Sequence, residues 1–233
     1  MIRRQIPNLI TLCNLLCGVF AIGLALINKD NTGAALFICL GIFLDFFDGL
    51  TARLLNVASP LGKELDSLAD VVTSGVAPGF ILWNILFDGV NEKWPEFLPY
   101  IALLIPLFSA YRLAKFNIDT RQSHAFLGLP TPANALIWVG LALTPTLPLN
   151  NLVFIIGLIV VSLVTNILMV SEMPMFSLKV NFKDMSWRSN SVQYLFLIGC
   201  AAIIAATRQW YAISLIILWY IILSAITQKK HAE

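Results

Sequence analysis

Eight apolar stretches of bilayer length divide this chain, and they constrain its fold more than any other feature. A transmembrane helix needs roughly 17 to 25 predominantly apolar residues. The stretches cover about residues 9–27, 33–55, 65–87, 97–116, 131–147, 151–170, 192–207 and 209–227. Backbone polar groups find no water in hydrocarbon, so such segments pair their amides and carbonyls internally as helices. The expectation is an all-α polytopic membrane helix bundle of about eight transmembrane helices, or six if the short fifth and seventh stretches are tilted, broken or interfacial. Almost nothing separates the last two, which predicts a tight helical hairpin. With 58% hydrophobic and 12% charged residues and a mean hydropathy of +0.82, the chain is not a soluble globular domain. It has no solenoid repeat or low-complexity tract, and residues 1–233 are expected to form a single integral membrane catalytic domain with its core at residues 45–70.

The basic residues give the orientation. With an even number of spans, one side receives Arg3, Arg4, Arg53, Lys63, Arg112, Lys115, Arg121, Lys179, Lys183, Arg188, Lys229 and Lys230, and the other only Lys29, Lys93 and Arg208. Short cytoplasmic loops carry the excess of Lys and Arg. Both termini and the loop at residues 56–62 are therefore expected in the cytoplasm. Arg3 and Arg4 before an apolar run resemble a secretory signal, but the run is too long and lacks a small-x-small cleavage site, so it is expected as a retained span.

The net charge of +2 is too small to point to nucleic acid as a partner. Cys13, Cys17, Cys39 and Cys200 lie in apolar runs with no histidine beside them, as buried thiols would, and fit neither a disulfide framework nor a zinc site. The segment at residues 171–190 interleaves Lys179, Lys183 and Arg188 with Met175, Phe176, Phe182 and Trp187, a composition suited to the headgroup zone. His124 is expected in a solvated loop, without a role.

Against this background the stretch LDFFDGLTARLLNVASPLGKELDSLAD, residues 44–70, is anomalous. An ionised aspartate near a helix centre costs about 2.5 to 3.5 kcal/mol on insertion scales, and here Asp45, Asp48, Asp66 and Asp70 lie in or beside two consecutive spans. Asp45 and Asp48 are three residues apart and Asp66 and Asp70 four, so each pair occupies one face of its helix. Antiparallel neighbours joined by a short loop bring the two faces together at the cytoplasmic end. Four carboxylates suit Mg²⁺ or Mn²⁺, and two such ions would neutralise them while clamping phosphate oxygens. Zinc and copper favour histidine and thiolate ligands, which are missing from this stretch. Gly49 and Ala52 keep the second helix bare beside its acids, and Gly62 is expected where the chain turns into the next segment.

The pattern D-x2-D-G-x2-A-R-x8-G-x3-D-x3-D, carried by Asp45, Asp48, Gly49, Ala52, Arg53, Gly62, Asp66 and Asp70, resembles the signature of the CDP-alcohol phosphatidyltransferases. These integral membrane enzymes move a phosphatidyl group from a CDP-linked lipid to an alcohol and release CMP. The resemblance implies the fold of that family, a homodimer, and a dinuclear Mg²⁺ or Mn²⁺ site on Asp45, Asp48, Asp66 and Asp70, with Asp70 also the general base. It further implies nucleotide contacts from Asn8, Leu9, Ile10 and Thr11 of the first span, from Gly49, Ala52 and Arg53, and from Ser59 and Gly62.

The core pattern does not name the acceptor, because the family uses it for serine, glycerol phosphate, inositol phosphate and choline or ethanolamine compounds. The flanking segments SAYRLAKFN (109–117), FLGLPTPANA (126–135) and LDSLADVVTSGVAP (65–78) resemble those of the bacterial and archaeal members that transfer the phosphatidyl group of CDP-diacylglycerol to L-serine. That resemblance implies residence in a bacterial or archaeal cell membrane, among its lipids. Serine brings a carboxylate, and Arg112 and Lys115 are the candidates to meet it. Pro130 and Pro132 restrict the entry to the fifth span. The competing reading is an ion-coupled transporter, since intramembrane acids also mark transport pathways. It would place acids at the midplane of broken helices in two matching halves; here they cluster toward one side, with no second acidic pair.

Overall fold

The computed structural model of this chain describes residues 3, 5–89, 95–119, 126–176 and 187–228. Arg4, Lys93, Arg121, His124, Lys179, Phe182, Lys183, Lys229 and Lys230 lie outside these, and so does most of the basic and aromatic loop. Among the described residues eight helices follow one another: α1 (Gln5–Ile27), α2 (Asn31–Leu54), α3 (Pro60–Gly89), α4 (Leu98–Ile118), α5 (Thr131–Ala142), α6 (Leu152–Val170), α7 (Trp187–Thr207) and α8 (Ala212–Gln228). Six are long and apolar enough to cross a membrane, while α5 and α8 are shorter, at 12 and 17 residues. The all-α polytopic expectation holds.

Local sequence sets the ends of these helices. Lys29 adopts a positive φ of 50° between α1 and α2, and Asp30 caps α2 by accepting from the Gly33 amide at 2.8 Å. At the start of α3, Ser59 accepts from the Gly62 amide at 3.0 Å and Pro60 occupies the first helical position. The third span thus begins five residues earlier than its apolar run, and the expected turn at Gly62 is displaced to Asn56, whose φ is 52°. Helix α5 stops at Ala142, short of residue 147, because Pro145 supplies no amide and disfavours helix in the residue before it. Helices α7 and α8 form the expected hairpin, turning at Arg208 with φ 49°.

Small residues bring α1, α2 and α3 together. Gly18, Ala21 and Ala25 of α1 and Ala34, Ala35 and Gly41 of α2 are buried, and close backbone approach is how membrane helices gain packing contacts. Thr73 of α3 occupies the space that a Cβ would take at Gly18 or Gly41. Around this seam Ile38, Ile81, Leu82, Leu86, Ile105 and Trp138 form the apolar core. The opposite face of α2 exposes Leu36, Leu40, Phe43, Phe46 and Phe47, as a lipid-facing helix side does. Cys17 is buried and Cys39 and Cys200 are partly so, but Cys13 is exposed on α1, contrary to the expectation of four buried thiols; all four are free.

Two short strands, β1 (Phe126–Leu127) and β2 (Pro174–Met175), pair antiparallel and tie the segment before α5 to the segment after α6. Gly128 follows β1 with φ 75°, and its amide donates to Met173 O at 2.9 Å.

Candidate active site

The aspartates converge where α1, α2 and α3 meet, near one end of the bundle. Asp45 and Asp48 lie on the side of α2 away from its exposed phenylalanines, and Asp66 faces them from the second turn of α3. Ligand oxygens of Asp45, Asp48 and Asp66 all fall within 4.8 Å of one another. Asp70 is buried one turn further along α3 and interacts electrostatically with Asp45, Asp48 and Asp66. Carboxylates so close repel one another at short range in a poorly solvated setting. The buried Asp66 Oδ1 has no hydrogen-bond partner. An all-oxygen set with an orphaned buried oxygen fits a hard divalent cation.

Helix α1 supports two of these carboxyls. Thr11 donates through Oγ1 to Asp48 Oδ2 at 2.5 Å, and Asn14, one turn on, donates through Nδ2 to Asp70 Oδ1 at 3.5 Å. Asn14 is held in turn, its carbonyl accepting from Thr73 Oγ1 at 3.0 Å. Thr73 belongs to a π-helical turn, Val71–Val76, that begins directly after Asp70. Such a turn widens the helix by a residue and re-aims the side chains around it. Asn14 was not among the expected site residues. The signal for it is the i, i+3 polar row Asn8, Thr11, Asn14 on an otherwise apolar span.

A cavity of about 230 Å³ opens beside the acids. Seven of the residues expected at the nucleotide line it: Asn8, Thr11, Gly49, Ala52, Arg53, Ser59 and Gly62; Lys63 joins them. Leu9 and Ile10 do not; Leu9 is 64% exposed on the outer side of α1. A Cβ at Gly49 would meet nothing within 4 Å, so this part of α2 leaves open space for a ligand. The first amides of α3 lie at the cavity wall, and helix N-termini attract anions.

The two acceptor candidates line one small cavity but make different contacts. Arg112 of α4 is buried, donates through Nη1 to Thr131 Oγ1 at 3.2 Å, lies over the Phe116 ring and interacts electrostatically with Asp70. Lys115 donates to Val170 O at 3.3 Å and pairs with Glu172 at 3.5 Å.

The profile of the family described as CDP-alcohol phosphatidyltransferase matches residues 4–178, three quarters of the chain. The chain belongs to the CDP-alcohol phosphatidyltransferase family. Similar proteins carry the name CDP-diacylglycerol–serine O-phosphatidyltransferase. One from Bacillus subtilis is 40% identical over 145 residues, covering 60% of this chain and 77% of the relative. One from Methanocaldococcus jannaschii is 36% identical over 160 residues, covering 67% and 71%. One from Helicobacter pylori is 38% identical over 135 residues, covering 57% of this chain and 55% of the relative. The family match spans α1 to α6 and so contains the acids, the cavity and Arg112; α7 and α8 lie beyond it.

Proposed function

We propose that this protein is a phosphatidylserine synthase that transfers the phosphatidyl group of CDP-diacylglycerol to the hydroxyl of L-serine and releases CMP. The observation that carries the reading is the convergence of Asp45, Asp48 and Asp66, with Asp70 behind them, beside a cavity that Asp48, Asp66 and the nucleotide candidates line. The names of the similar proteins support serine as acceptor.

Asp45, Asp48, Asp66 and Asp70 would hold two Mg²⁺ or Mn²⁺ ions, which when bound supply positive charge against the diphosphate oxygens. Arg53, Lys63 and the α3 N-terminus add positive potential at the same cavity, while Asn8, Thr11, Gly49, Ala52, Ser59 and Gly62 shape it for the cytidine nucleotide. Leu9 and Ile10, turned away from the cavity, have no nucleotide role in this reading. Asp70 takes the proton of the serine hydroxyl as its oxygen attacks the phosphorus that bears the diacylglycerol. The new bond is serine O–P, the bond that breaks joins this phosphorus to the anhydride oxygen, and CMP leaves with that oxygen. Proximity in a partly desolvated site lets a carboxylate serve as base for an alcohol. Arg112 holds the serine carboxylate, and Lys115, which lines the same small cavity and pairs with Glu172, adds positive charge beside it.

The protein works as one membrane-embedded catalytic unit and as a homodimer, with its acids and both termini toward the cytoplasm of a bacterial or archaeal cell. The test is acceptor profiling: purified protein, CDP-diacylglycerol, Mg²⁺ or Mn²⁺, and serine, glycerol 3-phosphate or inositol 1-phosphate in turn, with CMP release measured. Release with serine alone is expected. Release with glycerol 3-phosphate and none with serine would keep the family and overturn the acceptor.

A further inference from the structure

The small cavity that holds Arg112 and Lys115 also carries acids. Asp119, just past the end of α4, and Glu172, between α6 and β2, line it together with Leu127, Met169 and Ser171. Its charged lining among the described residues is therefore balanced, two cations against two carboxylates. Arg112 is 8% exposed, and its buried Nε has no hydrogen-bond partner. A buried N–H left unpaired loses its hydration without return, a cost expected where a ligand completes the bonding. Arg112 also interacts electrostatically with Asp70, which ties this cavity to the acids of the metal site. Glu172 is held beside it by its neighbours: Ser171 N donates to Ile167 O at 3.0 Å and Ser171 Oγ to Leu168 O at 2.8 Å, and two residues further on the chain pairs with β1.

A balanced lining says what kind of ligand. A zwitterion finds an opposite charge for each of its own, whereas the dianionic phosphate of an alcohol phosphate would meet two carboxylates, and such repulsion rejects a competitor. The cavity measures about 10 Å³, room for roughly one water, so an amino acid enters only as the wall parts. Glu172 is the one exposed residue of that wall, and its pair with Lys115, at 3.5 Å, is of the solvent-accessible kind that holds weakly. A zwitterion inserted there leaves neither partner unpaired: its ammonium replaces Lys115 Nζ at Glu172, and its carboxylate replaces Glu172 at Lys115. We propose that Glu172 binds the ammonium group of the acceptor while Arg112 and Lys115 hold its carboxylate, so that the site selects a zwitterionic amino acid over an alcohol phosphate. This rests on the serine reading above.

Glu172→Gln keeps the size of the side chain and removes its charge, at an exposed position where the fold tolerates the change. Two probes separate the ammonium from the carboxylate: serine itself, and 3-hydroxypropionate, which has the carboxylate and hydroxyl of serine but no ammonium, used as a competitor of serine. The expected result is a rise in KM for serine of roughly tenfold to a hundredfold, as for a lost hydrogen bond between charged groups, with the KM for CDP-diacylglycerol unchanged. The Ki of 3-hydroxypropionate should stay the same or fall. An unchanged KM for serine would overturn the proposal. So would an equal weakening of serine and 3-hydroxypropionate, which would mean that Glu172 only steers Lys115 toward the carboxylate. Wild-type protein that turns over glycerol 3-phosphate and not serine would remove the underlying reading, a failure visible before any variant is made.

Discussion

Thr11 on α1 donates to Asp48 on α2 across 37 residues of sequence, in a buried bond of 2.5 Å. The bond occupies one carboxylate oxygen and fixes the orientation of the other. Thr11→Val keeps the shape and removes the donor. Partners that orient a metal ligand typically contribute 10- to 100-fold in affinity. The Mg²⁺ or Mn²⁺ concentration for half-maximal CMP release should therefore rise by about that factor, with little change in melting temperature. An unchanged metal requirement would separate Thr11 from the metal site.

Chelation should abolish activity, and Mg²⁺ or Mn²⁺ should restore it, because carboxyl oxygens within 4.8 Å of one another are placed to share a divalent cation. Asp45→Asn and Asp66→Asn each remove one negative charge from the set. Both should weaken metal binding and turnover together in a metal titration followed by CMP release. Full activity in excess EDTA would contradict the site.

Asp70→Asn keeps an oxygen for a cation and nearly the same volume but cannot accept the serine proton. Turnover should fall by at least the roughly 10² to 10⁴ expected for a lost general base, while CDP-diacylglycerol binding persists. Metal occupancy measured in the same variant decides the cause. Full occupancy with near-normal turnover would exclude Asp70 as the base.

Gly128→Ala tests the strap between α4 and α6. The φ of 75° disfavours any Cβ, and one placed there would lie 2.7 Å from Met169 O and 2.9 Å from Ser171 O. The cost should be about 1 to 3 kcal/mol, visible as a drop of several degrees in the melting temperature in detergent. An unchanged melt would show that the strap contributes nothing to the stability of the bundle.

Much of this architecture was legible in the sequence because lipid imposes a simple code. Apolar length gave the eight helices, and the acid spacing gave faces that converge. Boundaries were less legible where local chemistry overrode hydropathy: Ser59 and Pro60 start α3 in a polar segment, and Pro145 ends α5 inside an apolar one. The cavity lining was legible, since Asn8, Thr11, Arg53 and Ser59 lie in or close to the pattern that carries the resemblance. Leu9 and Ile10 were included only through their neighbours, and a 100° rotation per residue turns both away from the cavity. The acceptor side was read less fully. Thr131 gains meaning only when α4 and α5, joined by a long connection, bring it to Arg112, which no single-helix periodicity reveals.

The central claim is that the serine hydroxyl oxygen attacks the phosphorus bearing the diacylglycerol, and an isotope experiment tests it most directly. L-serine carrying ¹⁸O in its hydroxyl is incubated with CDP-diacylglycerol and the purified protein, and lipid and nucleotide products are weighed by mass spectrometry. The account predicts phosphatidylserine that retains the label and CMP that contains none. Release of CMP with phosphatidic acid and no labelled phosphatidylserine would contradict it.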